Sequence, residues 1–112
     1  MKPNLRMYVI VNKDMGKKIR KRGMTNAYHH VQATHAVAQF LLYHRKMAKG
    51  WNNETLIVLG TRKNQFMRYF QKAAEVVGCS IFIEPDLGNE ITAFATVLPE
   101  KHWNIFKRME LL

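Results

Sequence analysis

A single cysteine, Cys79, in 112 residues leaves no partner for an internal disulfide. That absence excludes the disulfide-stapled scaffolds of small secreted proteins and accords with a reducing, cytoplasmic setting. Acidic residues are scarce as well: 8 Asp and Glu stand against 18 Lys and Arg, for a formal net charge of +10. The positive field this creates concentrates polyanions near the protein, whether nucleic acid or an anionic lipid surface. No apolar run approaches the ~20 residues of a membrane span, and the amino terminus lacks the apolar core of a secretion signal. The expectation is a soluble, cytoplasmic chain with no membrane partner. Gly-x-Ser-x-Gly and Gly-rich phosphate-binding loops are both missing, which removes the commonest hydrolase and nucleotidase designs. No cysteine pair accompanies the 5 histidines, and His30 and His35 fall on different sides of a helix, so no metal site is expected.

What is present reads as one domain over residues 1–112, without repeats or an interdomain linker. Hydrophobic residues make up 47% and aromatics 11%, enough for a modest core, so the charge does not signal disorder. Arg6 to Val11 is a short, β-branched, buried first strand, closed by Asn12-Lys13-Asp14. Lys13 to Gly23 follows as an exposed basic loop carrying Lys13, Lys17, Lys18, Arg20, Lys21 and Arg22, with Gly16 and Gly23 against regular structure.

A helix is expected from Thr25 or Asn26 to about Lys49, stopping at Gly50. At about 100° per residue, Ala27, Val31, Ala33, Thr34, Val37, Ala38 and Leu41 share one side, which the alanines mark for close packing on a sheet. Thr25, Tyr28, Gln32, His35, Gln39 and Tyr43 form a narrow stripe opposite. Beyond the turn at Trp51 to Glu54, Thr55 to Leu59 is a second strand closed by Gly60. Asn64 then caps a second helix, with Met67, Phe70, Ala74 and Val77 as its apolar positions and Gly78 as its end. Cys79 to Ile83 and Ile91 to Leu98 are two further strands, and Pro99 opens a short terminal helix with Trp103, Phe106 and Met109 on its apolar side. The order β-α-β-α-β-β-α indicates an α/β fold, a mixed sheet covered by helices.

Two polar clusters carry the chemistry. The segment Glu84-Pro85-Asp86-Leu87-Gly88-Asn89-Glu90 packs carboxylates into a turn on an otherwise basic chain. Its acidic groups are open to three readings, a general base, a metal site or plain turn chemistry, although their spacing does not match a calcium loop. Tyr28 to Ala36 is the second cluster, where His35 is either a half-buried structural histidine or an acid or base, and His29 and His30 a surface pair. In open α/β sheets ligands bind beyond the carboxyl ends of the strands. If the first and third strands are parallel neighbours, Gln32 or His35 comes near Asp86. The basic loop suits RNA phosphates, since cations on a loop follow a backbone without fixed register, but it lacks aromatics for base stacking. Cys79 opens an apolar strand and reads as core rather than nucleophile.

Gln32-Ala33-Thr34-His35-Ala36, continued by Val37-Ala38-Gln39-Phe40, together with Glu84 to Ala93, resembles the motif pair of the peptidyl-tRNA hydrolase 2 family. The resemblance runs from the first strand to about Leu98, includes Trp51-Asn52-Asn53, and is strongest to the branch with an acidic-Pro-Asp-Leu-Gly-Asn-Glu turn. It implies a four-stranded mixed sheet, no metal cofactor, a dimer, and hydrolysis of the ester joining a peptide or N-blocked amino acid to the 3′ end of tRNA. Position by position, Gln32 matches the family's helix glutamine, His35 the histidine after it, Asp86 the turn aspartate and Thr92 the late-strand threonine. Tyr28 stands where the family's best-known members carry a lysine. On this resemblance Asp86 orients or deprotonates a water, Gln32 positions it or the carbonyl, Tyr28 and His35 support, and the basic loop holds acceptor-stem phosphates. The alternative is an RNA-binding protein of the same fold without turnover.

Overall fold

The structure, a computed structural model, describes residues 4–15, 27–85 and 88–112. Leu5–Asn12 (β1) is followed by a 3₁₀ turn at Lys13–Met15, then Ala27–Tyr43 (α1), Arg45–Trp51 (α2), Thr55–Thr61 (β2) and Lys63–Ala74 (α3). Cys79–Glu84 (β3), Glu90–Pro99 (β4), a 3₁₀ helix at Glu100–Phe106 and Glu110–Leu111 (β5) complete the chain. The sheet order is β3-β4-β1-β2-β5. β1 and β2 run parallel; the β1/β4, β3/β4 and β2/β5 pairs are antiparallel.

The α/β class and the mixed sheet follow the expectation, but the described residues form five strands rather than four. The fifth is a two-residue strand on the outer edge of β2, anchored by the Leu112 amide on the Val58 carbonyl (3.0 Å). Two residues are too few to carry an alternating pattern, so β5 exists only through its partner. β1 and β3 point the same way, yet they are not neighbours, because β4 lies between them. The terminal helix is a 3₁₀ helix, held to the end of β4 by Trp103 Nε1–H donating to the Leu98 carbonyl (2.9 Å).

The first helix is divided. At His44 the backbone leaves helical geometry (φ −128°, ψ 54°), and the imidazole stacks on Phe40 at 4.8 Å. α2 runs through Gly50 and stops at Asn52, which takes the left-handed conformation (φ 56°) and returns its N–H to Ala48. An asparagine can end a helix this way, so Gly50 is not needed for it. Asn64 lies inside the first turn of α3 rather than capping it. The cap position is Arg62, which offers no side-chain acceptor, and Asp14 supplies one from beyond β1 by accepting the Lys63 N–H at 2.8 Å.

Each face of the sheet has its own core. Under α1 and α2, Met7, Val9 and Val11 pack with Ala93, Ala95 and Val97 against Ala33, Ala36, Phe40 and Trp51. The alanines let α1 approach the sheet closely. The opposite face is aromatic: Phe94 meets Phe66 (5.2 Å) and Phe70 (5.4 Å) edge-on, with Phe106 and Tyr8 alongside.

Candidate functional site

The face assigned to α1 from the sequence is reversed in part. Val31 and Leu41 are 47% and 41% exposed, and Thr34 and Ala38 are exposed too, whereas Gln32 is fully buried. The middle of the polar stripe, Gln32, His35 and Gln39, does not face away from the sheet but runs down strand β3, whereas Tyr43 is exposed. Gln32 Nε2–H donates to Glu84 Oε2 at 2.8 Å, the His35 ring stacks on Phe82 at 4.5 Å with 6° between planes, and Gln39 Nε2–H donates to the Ile81 carbonyl at 2.8 Å. Helix and strand run in opposite directions along these three contacts. The glutamines are inside because each has found an acceptor, which removes the desolvation cost that would otherwise keep them out.

Thr92 completes the group: its Oγ1–H donates to Gln32 Oε1 at 2.6 Å. A register irregularity makes this possible. Phe82 pairs with Ala93 and Ile83 with Ile91, so Thr92 is the extra residue of a β-bulge. Strict alternation would send Thr92 to the aromatic face with Phe94. With the bulge, Ile91 and Phe94 face the aromatic core, while Ala93 packs in the core under α1 and Thr92 reaches α1's Gln32. Bulges re-aim side chains in this way and recur beside functional sites.

The resulting chain, Thr92 to Gln32 to Glu84, has a fixed direction. A carboxylate accepts only, so Gln32 must present its NH₂ to Glu84 and its oxygen to the Thr92 hydroxyl. Gln32 and Thr92 are 0% exposed and Glu84 is 6% exposed. In the described residues every buried side-chain nitrogen and oxygen has a hydrogen-bond partner. Asn12 closes the same edge, its Nδ2–H donating to the Ile91 carbonyl (3.4 Å) and its Oδ1 accepting the Asp14 amide (3.0 Å).

The turn rises from this buried base. The Asn89 amide returns to the Glu84 carbonyl (3.0 Å) and the Gly88 amide to the Pro85 carbonyl (3.2 Å). Gly88 and Asn89 both hold positive φ, 67° and 63°, the left-handed conformation that glycine and asparagine tolerate best. Asp86 itself lies outside the described residues, as do Lys17, Lys18, Arg20, Lys21 and Arg22. Lys13 is described: its ammonium lies 3.5 Å from Glu110, which ties the end of β1 to β5. Tyr28 is half-buried in the first turn of α1 and His35 is exposed beside Phe82.

The chain matches no protein-family model and no curated protein sequence. The family resemblance therefore stands on the two motifs.

Of the residues anticipated from the sequence, Gln32 and Thr92 meet directly, and His35 sits one turn further along α1. Glu84, on sequence grounds a member of the turn, is the buried end of a strand. Its signal is parity: Ser80, Phe82 and Glu84 alternate along β3, Ser80 and Glu84 are buried, and Phe82 packs on the core under α1. Asn12 does more than terminate its strand, since its side chain joins β4 to the segment beyond β1. At the carboxyl ends of β1 and β2, Asp14, Arg62, Lys63 and Asn64 line an open depression of about 700 Å³. Asp14 fills the helix N-terminus there, within 3.4 Å of Arg62. Cys79 is partly buried, and that burial pushes its thiol pKa up, with a smaller opposing effect from Thr96. A thiol so placed is a poor nucleophile. Among the described residues no helix is long and apolar enough to cross a membrane.

Proposed function

We propose that this chain hydrolyses the ester between a peptide, or an N-blocked amino acid, and the 3′ end of tRNA. The observation that carries the reading is the direct bonding of its two motifs: Gln32 of the helix cluster joins Glu84 and Thr92, 52 and 60 residues away, at the base of the acidic turn. Ester hydrolysis needs a water that is oriented or deprotonated and a donor for the oxyanion. In this reading Asp86, two residues beyond Glu84, handles the water. Gln32 has no exposed surface, so it holds the turn rather than touching the water. His35, stacked on Phe82, and the half-buried Tyr28 are the supporting groups, and the basic loop holds acceptor-stem phosphates.

The test is single-turnover hydrolysis of N-acetyl-aminoacyl-tRNA. Asp86→Asn should lower the rate by about 10²-fold or more, the scale of a lost general base. Gln32→Ala should lower it less, through the turn. Wild-type rates in both variants would refute this assignment of roles. Tyr28 at the position of the family's lysine favours a second reading, an RNA-binding protein without turnover. That protein would bind tRNA with a steep salt dependence and cleave no ester above background.

A further inference from the structure

We infer that Glu84 is a positioning residue, and that the chain Thr92→Gln32→Glu84 sets the acidic turn against helix α1. The inference deepens the hydrolase reading and rests on it for its kinetic arm only. Glu84 is the last residue of β3, and its side chain and main chain are fixed by different partners. The carboxylate is held by Gln32 at 2.8 Å, while the carbonyl accepts the Asn89 amide at 3.0 Å and so closes the turn. Whatever orients the Glu84 side chain thus orients the residue from which the turn starts. The other end of the chain lies on β4 just past the turn, where the bulge at Thr92 directs its hydroxyl to Gln32. Both stems of the turn are therefore referred to one amide on α1, and because that amide is fully buried, water does not compete for its bonds. An error of about 1 Å at a reacting group can cost 10²-fold in rate, so a turn bearing the water-handling carboxylate has reason to be held from both sides.

The direction of the bonds gives the test. Gln32→Glu puts a second carboxylate at hydrogen-bond distance from Glu84, where like charges repel. Adding Glu84→Gln restores both bonds with one direction reversed: Thr92 Oγ1–H still donates to residue 32, while the new amide at 84 donates to the carboxylate at 32. The experiment compares wild type, Gln32→Glu, Glu84→Gln and the double variant by the amide proton and nitrogen resonances of Gly88 and Asn89, and by kcat and KM on N-acetyl-aminoacyl-tRNA. Gln32→Glu should shift both resonances and lower kcat by about tenfold or more with KM within about threefold, the signature of lost positioning rather than lost binding. The double variant should return the resonances and bring kcat to within about threefold of Glu84→Gln. Unshifted turn resonances in Gln32→Glu, or a double variant no better than Gln32→Glu, would overturn the inference. Should Gln32→Glu fail to fold, Gln32→Met removes both bonds at similar volume; it should shift the same resonances, and adding Glu84→Gln should not return them. If wild type cleaves no ester, the hydrolase reading fails by itself and the resonance cycle still decides whether Glu84 sets the turn.

Discussion

Replacing Thr92 by Val exchanges a hydroxyl for a methyl at nearly constant shape, in a position with no exposed surface. The Gln32 amide oxygen loses the donor that lay 2.6 Å away and gains no water in its place. Leaving a buried acceptor unmade costs about 1–3 kcal/mol. The added methyl offsets up to about 0.8 kcal/mol of that. With the full offset the expected loss is therefore about 0.2–2.2 kcal/mol, or a fall of about 1–9 °C in Tm for a chain of this length. Gln32→Met should cost more, about 2–4 kcal/mol, because it removes two buried hydrogen bonds at once, one of them to the Glu84 carboxylate. Thr92→Val adds little damage once Gln32 is gone, since the acceptor it would orphan no longer exists. The pair should be non-additive by about 1 kcal/mol or more. Urea unfolding followed by Trp51 and Trp103 fluorescence measures all four proteins. Additivity within about 0.3 kcal/mol, or a Thr92→Val variant as stable as wild type, would refute the view that this hydroxyl sustains the network.

Other perturbations test neighbouring parts of the fold. A Cβ at Gly78 would lie 2.8 Å from His44 Nδ1 and 2.9 Å from its Cε1. Gly78→Ala should push the imidazole off Phe40 at the α1–α2 break and cost about 1–3 kcal/mol, read as a lower Tm. Gly88 has open space around its Cβ position but a φ of +67°, so Gly88→Ala should cost about 1 kcal/mol through backbone strain alone, and Gly88→Asn less, on the same assay. Burial raises the Cys79 thiol pKa, so the unfolded chain ionises first as pH rises. The stability this thiol contributes is full below its unfolded value near 8.5 and declines above it, so wild type should lose more Tm between about pH 8 and 10 than Cys79→Ala does. If tRNA follows the basic loop, Arg20→Ala and Lys21→Ala should each reduce the slope of log K against log salt by about 0.7–0.9 for every phosphate the wild-type side chain neutralises, as filter binding at several salt concentrations would show.

The strands were legible because burial on both faces leaves a plain sign, and Met7 to Val11 and Ala93 to Leu98 are apolar or small almost throughout. The helix was harder to read. Its outward residues include Val31, Leu41 and Leu42, while Gln32 and Gln39 turn inward, so hydrophobicity ranks its faces wrongly. Polarity predicts exposure only while the polar group lacks a buried partner, and here the partners are a carboxylate and a carbonyl of β3, which no local window contains. The stripe itself was visible from spacing; what it faced was not. The bulge at Thr92 was hidden for a related reason, since Ile91-Thr92-Ala93-Phe94 reads as ordinary strand until its pairing with Phe82 and Ile83 is known.

These departures share a cause, and it bears on the site. Gln32 inward, Thr92 out of alternation and Glu84 buried each break a local rule, and each break is compensated by one of the other two. Alone, a buried glutamine, a bulged threonine or a buried strand-end carboxylate would destabilise the fold. Together they satisfy one another, and they do so at the foot of the turn that carries Asp86. Sequences usually agree with their fold at every level except where function or strain sets the terms. Three linked exceptions at a single sheet edge are thus a stronger pointer to that edge than any one of these residues, and they single out Glu84 beside the positions that the family resemblance had marked.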